Sequence, residues 1–451
     1  MARARRSDKK SKSKKKALEI IEIEITSVGA QGDGIGEGPD GPLYVPMTLA
    51  GDTVKASIIK KDRNGTYASL VEVVKASADR TEGMCKHFGK CGGCSLQMMP
   101  DDMYKNWVKS RAVSAIAHHG FDGDLVTDPI LSPVGSRRRV AFKVLKTAGG
   151  LVFGFNASGS HQVVPMTECP VAHKSITSLF APLKQILTTT LGDRAAGTVH
   201  ATVTATGVDL LIDVPMKLSL DHRVEWAEFA DKHDIAAIHW QDDGFMDPVI
   251  IRREAIMDLS GTYVPLPPAS FIQATKEGEE TIVNEIVAAC AGSKRVVDLF
   301  SGIGTFTFPL AKTSQVLAVE GAQGAADALK YGSDKAVGLK QIITKHRDLF
   351  RRPLTAKELS AFDAIVFDPP RAGAKDQTEE IAKSNATTVI AVSCNPNTFS
   401  RDARILVDGG YTMEKVVPVD QFLWSPHVEL VGVFTKPEKT EQKPLATLGA
   451  M

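Results

Sequence analysis

Thr387-Thr-Val-Ile-Ala-Val-Ser-Cys-Asn-Pro396 is the stretch on which the fold turns. Its β-branched run, Thr387 to Val392, predicts a buried strand of a parallel sheet. Pro396 cannot donate to a sheet ladder, so the strand is expected to stop and a loop to begin there. Cys394 is thereby placed just past the carboxyl end of a core strand, the edge at which open α/β sheets hold ligands. A cysteine in that place can be an inert packing residue or a nucleophile; the surrounding chain bears on the choice.

Around this stretch the chain alternates strands and helices. After Pro265-Leu-Pro-Pro268, helical periodicity runs from Glu277 to Ala291, with Gly292 as the stop and Cys290 in its core. Strands are predicted at Arg295–Leu299, Gln315–Val319, Ala364–Phe367, Thr388–Val392 and Val428–Phe434. Alternation of this kind predicts an α/β fold with a doubly wound, Rossmann-like parallel sheet over residues 265–437. The first of its strands ends in Asp298-Leu-Phe-Ser-Gly302-Ile-Gly304-Thr-Phe-Thr307, whose glycines allow close backbone approach to a ligand. Thr307 stands where a dinucleotide fingerprint would carry its third glycine. The second ends in Glu320-Gly321, where an acid can accept from ribose hydroxyls. In this order the two turns read as a pocket for S-adenosylmethionine. Phe367-Asp368-Pro-Pro-Arg-Ala-Gly373 makes a rigid rim at another strand end, and Trp424-Ser-Pro-His427-Val-Glu429 opens the last strand. If that strand reaches back far enough, His427 and Glu429 share a face.

Toward the N-terminus the character changes. Ile21-Glu-Ile-Glu-Ile25 alternates as a half-buried strand does. Gly29 to Gly41 is rich in turns, and short strands follow around Leu43–Pro46, Thr53–Ile59 and Tyr67–Val74. About five strands over residues 18–77 predict a small OB-like barrel. With Gly32-Asp-Gly-Ile-Gly36, this stretch resembles the TRAM domain. Residues 78–264 read as a central, mixed and β-rich domain. It opens on Cys85-Lys-His-Phe-Gly-Lys-Cys91-Gly-Gly-Cys94, and a fourth thiol follows in Met166-Thr-Glu-Cys169-Pro170. Four thiolates suit tetrahedral zinc or an iron–sulfur cluster alike. Ser136-Arg-Arg-Arg-Val-Ala-Phe-Lys143 can grip phosphates or form a solvated basic edge strand.

At 451 residues and a net charge of +1 the molecule is not basic as a whole. Residues 1–17 are an exception: nine Lys and Arg stand against Asp8, a block expected to be disordered and able to touch polyanions. Residues 438–451 read as a flexible tail. No apolar run is long enough to span a bilayer, so no membrane partner is expected. The six cysteines do not form a small secreted scaffold, and a reducing cytoplasm is the expected setting.

Taken together, the barrel, the Cys-Xaa5-Cys-Xaa2-Cys…Cys set, Asp-Leu-Phe-Xaa-Gly-Xaa-Gly, Asp-Pro-Pro-Arg-Ala-Gly, Ser-Cys-Asn-Pro and His-Xaa-Glu resemble the RNA uracil-C5 methyltransferases. Within them the chain is most similar to the RumA type that modifies 23S ribosomal RNA, over residues 18–436. The resemblance implies a [4Fe–4S] cluster on Cys85, Cys91, Cys94 and Cys169. It also implies nucleophile Cys394, general base Glu429, and S-adenosylmethionine contacts at Gln273, Phe300, Glu320, Asp348 and Asp368. Thr305 is carried over although relatives often have Asn there. RNA is the implied partner, ribosomal RNA before transfer RNA; no protein partner is implied and a monomer is expected. The competing expectation is an amino-group methyltransferase of nucleic acid in which Cys394 is structural.

Overall fold

The structure is a computed structural model that describes residues 19–63 and 65–437; the basic and the flexible tail expected from the sequence lie outside the described residues. The chain divides into two compact units at Glu82/Gly83.

In the first unit, strands β1 (Ile20–Val28), β2 (Asp33–Gly38), β3 (Gly41–Pro46), β4 (Thr53–Asp62) and β5 (Gly65–Lys75) close a barrel in the order β1-β2-β3-β5-β4. The alternation of β1 is realised: Ile23 and Ile25 are buried while Glu22 and Glu24 face out. The glycines of β2 have a packing reason. A Cβ on Gly34 would stand 1.9 Å from Thr48 Oγ1, and one on Gly36 would stand 2.4 Å from Glu24 O.

Two large sheets make up the second unit. Ahead of their main strands in sequence come helix Asp101–Ala117 and the short strand β6 (Ile130–Leu131). The first large sheet uses β7 (Arg139–Thr147), β8 (Gly150–Asn156), β9 (Val163–Pro165), β10 (Ala196–Thr204), β11 (Gly207–Asp213), β12 (Ile235–Asp242) and β13 (Phe245–Ile251). Its order is β13-β12-β11-β10-β7-β8-β9. Helices Phe180–Thr190 and Leu220–Lys232 contribute to its apolar core, in which Phe142, Phe153 and Trp226 are buried. The strand that begins at Arg139 lies between β10 and β8, so the expected basic edge strand is an interior one.

After a hairpin of β14 (Ile256–Leu259) and β15 (Thr262–Pro265), the second sheet is built from β16 (Arg295–Leu299), β17 (Gln315–Glu320), β18 (Ile342–His346), β19 (Ala364–Phe367), β20 (Thr388–Ser393), β21 (Thr412–Asp420) and β22 (Glu429–Thr435). The order is β18-β17-β16-β19-β20-β22-β21-β6. The first five strands are parallel; β22 is inserted antiparallel to β20. The continuous apolar runs of β16, β19 and β20 are buried on both faces, as a doubly wound sheet requires. Pro396 does not open a loop. It is the first residue of helix Pro396–Asp408, where its missing N–H costs nothing, and Asn395 caps that helix by accepting from Asn397 N.

The polar tie between the sheets is Arg138. It is buried, donates from Nη2 to Glu279 Oε2 at 2.5 Å, and from Nε to the Gln273 carbonyl at 3.1 Å. Glu279 lies on helix Lys276–Ala289. Removing one member of such a pair strands the other charge. Arg138→Met is expected to cost about 3–5 kcal/mol in urea unfolding, and Arg138→Met with Glu279→Leu distinctly less.

Candidate active site

The sheet register builds the site. The last rung of β20 with β22 pairs Ser393 with Leu430. One step further, Cys394 leaves β20 while Glu429 begins β22, so the two chemistry-bearing residues come from neighbouring strand ends. Glu429 is buried; Cys394 is half-buried. Because β22 begins at Glu429, strand alternation does not reach His427. That residue sits in the preceding loop, its ring centre 5.8 Å from that of Phe422.

Asp368 ends β19 and completes the group. It accepts from Gln273 Nε2 at 3.0 Å, and Gln273 Oε1 in turn accepts from Gln421 Nε2 at 2.7 Å. The Asp-Pro-Pro-Arg rim is stitched to the cysteine turn: Asn395 Nδ2 donates to the Arg371 carbonyl at 3.2 Å. Burial pushes Asp368 up to about 7. Burial, and then the Asp368 charge, hold Glu429 well above the usual carboxylate range. The Cys394 thiol is pushed up to about 11 by burial, then by Glu429 and Asp368, while the Arg371 charge pulls it down. The N-terminus of helix Pro396–Asp408, beginning two residues later, also favours the thiolate. Cys394, Glu429, Asp368 and Arg371 therefore share one electrostatic neighbourhood.

The turn after β16 carries the expected cofactor residues. Phe300 adopts a left-handed φ of 61°, a strained state for a bulky residue. Its ring lies 5.4 Å from that of Phe350, and both line a cavity of about 230 Å³ with Gly373 and Arg401. Glu320 accepts from Gly302 N at 2.8 Å and Ala322 N at 2.6 Å. Asp348 accepts from Phe350 N at 3.0 Å, and a Cβ on Gly321 would stand 3.5 Å from its Cα. Thr305 falls elsewhere. It lines a separate polar cavity of about 280 Å³ with Asp258, Lys276 and Glu280. Asp298 Oδ1 and Ser301 Oγ are buried without a partner, which suits a turn built to meet a polar ligand.

Cys85, Cys91, Cys94 and Cys169 line one cavity of about 230 Å³ with Phe88, Phe155 and Leu423. No group of three or more His, Cys, Asp or Glu among the described residues converges tightly enough to hold a metal ion. The four expected ligands thus share a thiol-lined cavity but do not form a compact ligand shell, and the expected metal centre is not shown. His87 N and Gly93 N lie 3.4 Å from the sulfurs of Cys85 and Cys91. The cavity also touches the catalytic loop: Ser95 N and Leu96 N donate to the Trp424 carbonyl at 2.8 and 3.1 Å.

Several residues of the site carried no readable sequence signal. Phe271 is 61% exposed two residues before Gln273, and Arg139 lies 4.6 Å from its ring centre. Gln421 and Arg111 were likewise silent as isolated polar residues. The basic run was noticed, but it serves three ends: Arg137 lines the thiol cavity, Arg138 is the buried tie and Arg139 covers Phe271.

Comparisons with known proteins bear on the family. Residues 262–437 match the family described as tRNA (Uracil-5-)-methyltransferase. An uncharacterized RNA methyltransferase of Brucella suis is 40% identical over 415 residues, 92% of this chain and 98% of its own. One of Caulobacter vibrioides is 40% identical over 92% of this chain and 100% of its own. The 23S rRNA (uracil(1939)-C(5))-methyltransferase RlmD of Shewanella halifaxensis is 28% identical over 94% of this chain and 98% of its own. Among solved structures, the tRNA (uracil-54, C5)-methyltransferase of Pyrococcus abyssi with S-adenosyl-L-homocysteine has a TM-score of 0.72 at 20% identity, covering 92% of this chain and 100% of that one. The chain belongs to the RNA uracil-C5 methyltransferase family and is an S-adenosylmethionine-dependent enzyme.

The electrostatics of Cys394 can be read by alkylation. Arg371→Gln is expected to move the pH midpoint of iodoacetamide labelling at Cys394 upward, because a stabilising cation is lost. Asp368→Asn is expected to move it downward, because a repelling carboxylate is lost. Peptide mass spectrometry across pH checks both signs.

Proposed function

We propose that this chain converts a uridine of 23S ribosomal RNA to 5-methyluridine through a covalent bond from Cys394 to carbon 6 of the ring. The observation that carries the proposal is the placing of Cys394 and Glu429 at neighbouring strand ends beside Asp368. Uracil carbon 5 is a poor nucleophile. Addition of the Cys394 sulfur at carbon 6 turns the ring into an enolate, and carbon 5 can then accept a methyl group. Bound S-adenosylmethionine supplies that methyl as an electrophilic sulfonium. Carbon 5 still holds its hydrogen after transfer. Glu429, as carboxylate, removes that proton; the ring double bond re-forms and the Cys394 sulfur leaves with its bonding pair. Burial pushes the resting thiol up to about 11, so it rests protonated. Substrate binding therefore has to displace water and hold the sulfur against carbon 6, with Arg371 and the helix N-terminus favouring its anionic form.

Gln273 and Asp368 form the polar edge against which the uracil can be read. Phe271, exposed and covered by Arg139, offers a stacking face for an unstacked base. The adenosyl end of the cofactor is assigned to the turn of Phe300, Glu320 and Asp348, with Phe350 opposite Phe300. Thr305, in its separate cavity, is assigned a weaker part. The four cysteines are assigned a [4Fe–4S] cluster: a cavity with four thiols, apolar walls and backbone N–H groups aimed at sulfur suits such a cluster. It would supply structural support behind Leu423 and Trp424. The barrel presents stacked Tyr44 and Tyr67, 5.1 Å between ring centres, with Lys60 5.5 Å from the Tyr67 ring, a surface suited to RNA. A cytoplasmic setting goes with this substrate.

The full-length relative named for 23S rRNA favours ribosomal over transfer RNA. The test is mass mapping of both RNAs from a deletion strain: one 5-methyluridine is expected to vanish from 23S RNA, and a loss from transfer RNA alone would reverse the choice. Cys394→Ala is expected to lower turnover at least about a thousandfold. Glu429→Gln is expected to stall release and leave a protein–RNA adduct. Uracil tritiated at carbon 5 is expected to lose its label in step with methylation; methylation without loss would favour an amino-group methyltransferase. Protein isolated without oxygen is expected to carry about four iron atoms per chain, and Cys94→Ser to lose them.

A further inference from the structure

A chain of side-chain amides runs behind the strand ends that carry the chemistry, and a backbone group sets its direction. Thr275 N donates to Gln421 Oε1 at 3.4 Å, Gln421 Nε2 donates to Gln273 Oε1 at 2.7 Å, and Gln273 Nε2 donates to Asp368 Oδ2 at 3.0 Å. Gln273, Thr275 and Gln421 are buried. A backbone N–H can only donate, so the Gln421 carboxamide has to turn its oxygen to Thr275 and its nitrogen to Gln273. Gln273 must then accept with its oxygen, and its own nitrogen is left for Asp368.

Both ends of the chain are held. Thr275 caps helix Lys276–Ala289: its Oγ1 accepts from Gly278 N at 3.1 Å and lies 2.8 Å from Ser132 Oγ. Arg138 N and Nε donate to the carbonyls of Ala274 and Gln273 at 2.9 and 3.1 Å. Gln421 is fitted against the same helix, since a Cβ on Gly278 would stand 2.5 Å from its Cγ. Glycine within a helix is unfavourable, and here it makes the room that Gln421 fills. At the other end, Asp368 follows Phe367, which pairs with Ala391 of the neighbouring β20, the strand that leads to Cys394.

We propose that Gln421 is a positioning residue for the methyl transfer: by fixing the carboxamide of Gln273 it keeps Asp368 a hydrogen-bond acceptor, with any proton on that carboxyl confined to Oδ1. Two amides that could each turn over are thereby given one arrangement. Without Gln421, Gln273 is free to present its oxygen to Asp368, and only a protonated carboxyl can bond to it. The N–H of Gln273 opposes the upward push of burial on Asp368; an amide oxygen in its place would add to that push. Uracil carries an N–H between its two carbonyls, which an acceptor beside the reacting cysteine can take and a proton donor cannot. That use of the acceptor rests on the proposed methylation of an RNA uridine; the fixing of Gln273 does not.

The test uses the full-length protein, first without RNA. The infrared difference between wild type and Asp368→Asn follows the protonation of the Asp368 carboxyl across pH. In Gln421→Met, compared with Gln421→Met carrying Asp368→Asn, that carboxyl is expected to stay protonated to a pH about one unit higher, because a hydrogen bond to the charged form is no longer enforced. On a ribosomal RNA fragment containing the target uridine, the acid limb of kcat/KM is expected to move up in step. On the residual rate of Asp368→Asn, adding Gln421→Met is expected to leave the limb in place. A merely structural Gln421 would lower the rate evenly at every pH and move neither midpoint; that result overturns the inference. If Gln421→Met does not fold, Gln421→Asn, whose shorter amide cannot reach Gln273, decides by the same infrared midpoint. An infrared shift in a protein that methylates no uridine supports the fixing of Asp368 and overturns its use in reading the base.

Discussion

The rung that pairs Ser393 with Leu430, where antiparallel β22 meets the parallel strands, fixes where the chemistry can occur. Parallel strands present their carboxyl ends to one edge, and those ends carry Phe300, Glu320, Asp368 and Cys394. A general base from another parallel strand would come from a position further along the edge. Inserting β22 in the opposite sense brings its first residue, Glu429, to that same edge and next to the sulfur. A register shift of one residue would turn Glu429 to the other face of the sheet. The buried positions of β20 and β22 leave little room for such a slip.

The loop feeding β22 is held from two sides. Tyr104 clamps Asp420 and Trp424 from the helical side, and Ser95 and Leu96, directly after Cys94, hold the Trp424 carbonyl from the other. Leu423 forms part of the thiol-lined cavity wall. The central segment is therefore part of the scaffold of the active site. Arg138, bonded to both Glu279 and the Gln273 backbone, carries the same coupling to the cofactor side.

Much of the catalytic sheet was legible because buried parallel strands are short, continuous apolar runs: Arg295–Leu299 and Ala364–Phe367 are found as the sequence pattern places them. Strand β18 was not, because Ile342-Ile-Thr-Lys-His346 is a half-exposed edge strand with polar residues at its end. Strand β21 is broken up in sequence by Glu414, Lys415 and Pro418, and only its neighbours reveal it. Pro396 was ambiguous for a physical reason: it ends a strand and starts a helix equally well. In the site, residues that sit in a motif, such as Cys394 and Asp368, could be read. Gln421 and Phe271 could not, because each gains its meaning only from partners far away in the chain. The four thiols were readable as a set, whereas the width of their cavity was not.

The central claim is a transient bond between the Cys394 sulfur and carbon 6 of a uracil, released only by removal of the carbon 5 hydrogen. A ribosomal RNA fragment carrying 5-fluorouridine at the target tests it directly, since fluorine at carbon 5 cannot leave as a proton. With S-adenosylmethionine present, the account predicts a protein–RNA adduct that survives denaturation and whose digested peptide carries the methylated fluorouracil on Cys394. Adduct formation on any other residue, or methylation of the fluorinated base with no adduct at all, would contradict it.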